Sequence, residues 1–246
     1  MQCEVVYNNK GMQYTTSQMS HTSGFSLVEM TIVLVIIGPL LATVISAGAA
    51  AIEAQRIAST KERLQFIIDT VDDYVRVYGY LPCPADPTDA TTDANFGLGT
   101  GTNTGTCTAG NIEEYTTDGT VRGMVPVTTL GIPEILSLDG WGRRFSYVVD
   151  EDVTDLAGYG VDTPDIIVEN ASGTDYTTSA AVMVLSHGPN GYGAWTGKGI
   201  ALGTTGAGTP ELENTNSTTD SEYVDVYPTS TFDDIVLYKS VWQLAQ

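Results

Sequence analysis

Gly24-Phe25-Ser26-Leu27-Val28-Glu29-Met30 opens an apolar run that continues to Ile52 and carries one charge, Glu29, near its start. A helix needs about 20 apolar residues to cross the hydrocarbon core of a bilayer, and this run supplies them with a margin. A carboxylate inside such a run is costly unless a cation meets it, so Glu29 is read as functional. Residues 1–24 are polar and lack the apolar core and A-x-A cleavage site of a conventional signal peptide. The apolar run is then the export signal, and Gly24 offers a peptidase a small residue at the polar-to-apolar boundary.

The helical signal continues past the run. Leu64, Ile67, Ile68, Val71, Tyr74, Val75 and Tyr78 recur at i, i+3, i+4 and i+7, while Lys61, Glu62, Gln65, Asp69, Asp72, Asp73 and Arg76 take the other face. Gly79 and Pro82 supply stop signals. The expectation is one helix from Phe25 to Tyr78, with a transmembrane and assembly half over 25–52 and an amphipathic half over 53–80. Gly38-Pro39 should loosen or kink its first half. Leu81 to Gly123, rich in Thr, Gly, Asp and Asn, reads as loop. Strand signals follow at Arg144–Val149, Asp165–Glu169, Ala180–Leu185 and Asp234–Tyr238, short β-branched or aromatic runs separated by turn formers. The fold class expected is therefore α+β: a long N-terminal α-helix, membrane half plus amphipathic half, packed on a small antiparallel β-sheet, with 81–246 as an exported globular domain. Trp141, in the turn Asp139-Gly140-Trp141-Gly142, should anchor the sheet edge onto the core.

The formal net charge of −20 argues against direct nucleic-acid binding, because such a field repels polyphosphate. The glycine-rich stretch 96–105 has no following lysine and no strand-to-helix setting, so it reads as a loop and not as a phosphate cradle. No catalytic set stands out: Ser186 and His187 are neighbours, and neighbours on a strand point to opposite faces. His187 is expected at a turn or core edge with a satisfied ring nitrogen. Asn170 and Asn216 fit the glycosylation sequon, a short signal of little weight by itself.

Residues 24–30 resemble the cleavage and methylation motif of type IV prepilins and type II secretion pseudopilins, with glycine, phenylalanine, glutamate and the following apolar run all at the expected spacing. The resemblance implies a pilin-like fold, cleavage by a prepilin peptidase between Gly24 and Phe25, and methylation of the new amine of Phe25. It implies that Glu29 neutralises the N-terminal amine of a neighbouring subunit during assembly, and that the helix loses structure near Gly38 and Pro39 in the filament. Residues 1–24 are then a leader peptide. Their one fixed positive charge is Lys10, whereas such leaders are usually basic; a start at Met19 would leave a short leader of ordinary type.

Weaker likenesses continue downstream. Asp139-Gly140-Trp141-Gly142-Arg143-Arg144-Phe145-Ser146-Tyr147 is similar to the Asp-x-Trp-Gly-x-x-x-x-Tyr segment of major pseudopilins, Ser186 to Gly191 to their Ser-x-Gly-x-Asp/Asn-Gly loop, and Asp233-Asp234-Ile235-Val236 to the Asp-Ile before their last strand. A Thr/Gly/Asp-rich insertion between Gly199 and Phe232 departs from that pattern. Major pseudopilins bind calcium in this loop, and the resemblance points to Asn190 and Asp234 as oxygen ligands. No EF-hand is present, since Asp150, Asp152 and Asp155 have the wrong spacing. With export implied, a disulfide between Cys83 and Cys107 would close the loop they bracket. Their spacing fits no zinc pattern.

The function expected is a structural subunit of a type II secretion pseudopilus or type IV pilus, not an enzyme, anchored in the bacterial inner membrane with its C-terminal domain in the periplasm and then built into an extracytoplasmic filament. Its partners would be other subunits, the peptidase and an inner-membrane assembly platform. The alternative is a membrane-anchored adhesion or binding module with the Thr/Gly loops as contact surface.

Overall fold

The computed structural model describes residues 5–6, 13–14, 24–108, 113–115, 119–215, 221–229 and 231–244. The expected leader and its alternative start at Met19 lie outside the described residues, apart from Gly24 and two short strands. So does the Asn216 sequon. By internal packing the chain divides into two units, Met1–Ala50 and Ala51–Gln246.

In the first unit, β1 (Val5–Val6) pairs antiparallel with β2 (Gln13–Tyr14). Helix α1, Leu27–Tyr78, begins here and runs on into the second unit. Its start is a cap that the sequence reading passed over. The Ser26 hydroxyl accepts from the Val28 N–H at 3.3 Å, and the Glu29 carboxylate accepts from the Ser26 N–H at 3.4 Å, the Ser-x-x-Glu arrangement that satisfies backbone donors at a helix N-terminus. Gly38 and Pro39 both lie inside α1.

The expected membrane half is corrected. Among the described residues no helix is long and apolar enough to cross a membrane. From position 53 onward Glu53, Arg56, Lys61, Glu62 and Arg63 interrupt the helix, and their charges exclude that part from hydrocarbon. The α+β class stands; the long apolar helix is not found among the described residues.

In the second unit the amphipathic stripe behaves as its spacing predicts. Leu64, Ile67, Ile68, Val71 and Val75 are buried, whereas Tyr78, at the last turn, is half exposed. The remaining elements are β3 (Glu113–Tyr115), β4 (Thr120–Met124), α2 (Val127–Leu130), β5 (Arg143–Arg144), β6 (Ser146–Asp150), β7 (Ile166–Glu169), β8 (Asp175–Ala180), β9 (Val182–Ser186), β10 (Trp195–Thr196), α3 (Thr209–Asn214), β11 (Glu222–Val224) and β12 (Ile235–Lys239). One antiparallel sheet runs in the order β12-β9-β6-β4-β3. Strands β3 and β4 arise within or across the end of the stretch read as loop, a second correction.

The sheet is covered on both faces. Val121, Tyr147, Val149, Val182 and Val184 pack with the α1 stripe, while Val148, Met183 and Leu185 pack with Ile166, Val168, Ala180 and Tyr223 of a second sheet, β11-β7-β8. Strand β11 lies parallel to β7, so the sheets are not uniformly antiparallel. Double coverage explains why β4, β6 and β9 are buried at every position. Cys83 and Cys107 form a disulfide with Cα atoms 5.6 Å apart, closing the Thr/Gly-rich loop against the buried core.

Candidate functional site

The end of the sheet where β9 leaves and β12 enters carries a cluster of polar residues, Ser186, His187, Asp233 and Asp234 among them. Pairing of Ile235 with Ser186 sets the Asp233-Asp234 segment beside the loop that follows β9. In that loop the Gly191 N–H donates to the His187 carbonyl at 2.9 Å, with Gly191 at φ +67°, a left-handed turn that glycine adopts freely. Close approach also explains Gly188. A Cβ there would sit 2.2 Å from the Asp233 carbonyl oxygen, so only glycine lets the loop press against the segment entering β12.

Helix α3 comes from the insertion between Gly199 and Phe232 and completes the cluster. It brings Glu211, buried, toward half-buried Asp233 and buried Asp234, so that one carboxylate oxygen of each lies within 4.8 Å of the others. Asn190 stands at the edge. Its backbone N–H donates to Asp233 Oδ2 at 3.1 Å, its amide nitrogen to Glu211 Oε1 at 2.6 Å, and its amide oxygen accepts from the Tyr192 N–H at 2.9 Å. Asn214 amide nitrogen donates to Asp234 Oδ2 at 2.9 Å and to the Val224 carbonyl, tying α3 to both sheets.

The electrostatics follow from this crowding. Burial pushes the Asp234 carboxyl up to about 8, with the charges of Glu211 and Asp233 acting in the same direction against the Asn214 hydrogen bond. Burial raises Asp233 to about 6; the Asn190 hydrogen bond and the Arg143 charge oppose this, and Glu211 adds to it. Asp233 Oδ1 is buried and has no hydrogen-bond partner. An all-oxygen set with one oxygen unsatisfied suits a hard divalent cation such as calcium, which would relieve the repulsion among three carboxylates.

Of the two ligands expected from the sequence, Asp234 belongs to this set. Asn190 is brought to it but turns its donor nitrogen toward Glu211, so its amide oxygen is not offered. The set also contains Glu211 and Asp233, which the sequence does not single out as ligands. The adjacent acids Asp233-Asp234 carried a signal for the second, whereas Glu211 sits in an insertion without periodicity and had none.

Behind the carboxylates lies a second polar group. His187 is fully buried; its Nε2 lies 3.2 Å from Arg122 Nη2 and 3.1 Å from the Ser146 hydroxyl, and its Nδ1 has no partner. Burial, then the positive charges of Arg122 and Arg143, hold the imidazole well below its usual range, hence neutral. The expected satisfied ring is therefore satisfied on one side. Ser186 turns the other way and donates to Asp139 Oδ2 at 2.8 Å, as alternation along a strand requires. Trp141 is half-buried and not a core anchor: its ring N–H donates to Glu53 Oε1 at 3.2 Å, while its backbone N–H is held by Asp139.

In the first unit, Gly24, Phe25 and Glu29 are all exposed, and Phe25 precedes the first helical residue by two positions. Comparison of the chain with family models, curated proteins and solved structures finds no match.

Proposed function

We propose that the chain is a structural filament subunit of pilin or pseudopilin type, cut between Gly24 and Phe25 by a prepilin peptidase and polymerised through the N-terminal part of α1. The observation that carries this reading is the surface of that part. Phe25, Leu27, Val28, Met30, Ile32, Leu34, Val35, Ile36 and Leu40 are exposed around the whole helix, not along one stripe. A helix apolar on all sides is a helix to be buried, and copies of the same helix supply a surface of matching character. Glu29 lies at the start of this surface, where the cationic amine of a neighbouring processed chain would offset its charge on docking. The other partners are the peptidase and an assembly platform at the bacterial inner membrane, with the disulfide-bearing second unit on the extracytoplasmic side. In this reading Glu211, Asp233 and Asp234 hold a calcium ion that fixes α3 and the loop 188–191 to the sheet end.

Glu29→Val tests the assembly role. The variant should accumulate as processed chain and fail to enter filaments when these are sheared from cells and blotted. Normal incorporation would contradict the reading and favour a surface-binding module instead.

A further inference from the structure

Arg143 grips the loop that carries Asn190 through two of its backbone carbonyls. Its Nη2 donates to the Pro189 carbonyl at 2.6 Å and its Nη1 to the Gly188 carbonyl. Gly191 makes room for the guanidinium: a Cβ there would lie 2.0 Å from Nη1. Arg143 is itself fixed, since its N–H donates to Asp139 Oδ1 at 2.9 Å, and the other oxygen of buried Asp139 receives Ser186. From the same loop, the Asn190 N–H meets Asp233 and its amide meets Glu211. The loop is thus held between one forked cation and two of the three carboxylates.

We infer that Arg143 is a positioning residue for the cation site, setting the 188–191 loop so that Asn190 orients Asp233 and Glu211. The inference rests on the calcium reading above. Arg143 touches no ion in this scheme; beside its charge on Asp233 it acts through two backbone carbonyls. The planar fork matters as much as the charge, because two carbonyls of successive residues match two parallel N–H donors and a lysine ammonium cannot span them in the same way. Partners of this kind, one step removed from a metal, typically change its affinity by about 10- to 100-fold when removed.

The test uses the full chain titrated with calcium chloride by calorimetry, as native protein, Arg143→Lys and Arg143→Ala, with hydrogen exchange followed over 186–194. Arg143→Ala should raise the half-saturating calcium concentration on the order of tenfold or more. It should also speed exchange at the Gly191 amide while leaving β6 and β9 unchanged. Arg143→Lys should recover only a minor part of the affinity. If Arg143→Ala does not fold, Arg143→Lys carries the test, and it must bind several-fold more weakly than native. A native protein that binds calcium beside an arginine variant that binds it equally well overturns the inference alone. A native protein that takes up no calcium overturns the cation reading and the inference together.

Discussion

Asp150 accepts hydrogen bonds from the Asp152 N–H at 2.9 Å and the Asp165 N–H at 2.8 Å, and is nonetheless raised from an ordinary 3.8 to about 6. Burial dominates those two bonds, with the neighbouring Asp152 and Asp165 charges adding to it. The folded chain thus holds this proton more tightly than the unfolded chain. As pH rises from about 4 to about 6, stability drains away through Asp150, and above that window the penalty is constant. Asp150→Asn has no such term. Its melting temperature relative to native should move in its favour across that window and then level off; parallel curves would contradict the account. Residues of this kind were legible only in part. The Asp-rich segment is plain in the sequence, but which acid is buried depends on β6 ending there. The same limit applies to Glu211, whose neighbours Asp233 and Asp234 lie more than 20 positions away in the chain.

At the scale of elements, α1 was the easiest to read, because its buried stripe is a local pattern of period 3.6. Strand β4 was the hardest. Thr120-Val121-Arg122-Gly123-Met124 is buried at all five positions, so it shows no alternation, and it contains an arginine and a glycine. Its glycine has a reason: a Cβ at Gly123 would lie 2.5 Å from the Ala85 carbonyl oxygen, where the segment after α1 crosses the sheet end. A similar close approach joins α1 to the Trp turn. Gly140 donates to the Thr60 hydroxyl at 2.9 Å, and a Cβ there would lie 2.4 Å from the Arg56 carbonyl oxygen. Gly140→Ala should therefore destabilise by about 1–3 kcal/mol, read from the urea midpoint. No change would mean that the turn and helix are not in contact. The disulfide acts on a longer element. Replacing Cys83 and Cys107 together by alanine should lose about 2–5 kcal/mol, and reductant should bring native protein to the same midpoint. A native midpoint insensitive to full reduction would contradict this.

At the scale of the molecule, the sequence announced an α+β chain with an apolar N-terminal segment and an acidic second part. It did not announce a sheet covered on both faces: the expected strand over 165–169 is β7, but β8 and β11, which join it in the second sheet, lie in Thr/Ser/Asp-rich stretches with no strand pattern to read. The membrane-spanning reading of 25–52 treated the run by composition alone; the described residues contain no helix of that kind. What survives is an exposed apolar surface at the start of α1, preceded by a glycine and carrying a glutamate near its beginning. The central claim is that this surface belongs to a processed subunit made to be buried among copies of itself. Mass spectrometry of the chain recovered from cells that make it tests this most directly. The account predicts a chain beginning at Phe25 with a methylated amine; a chain that retains the residues preceding Phe25 would contradict it.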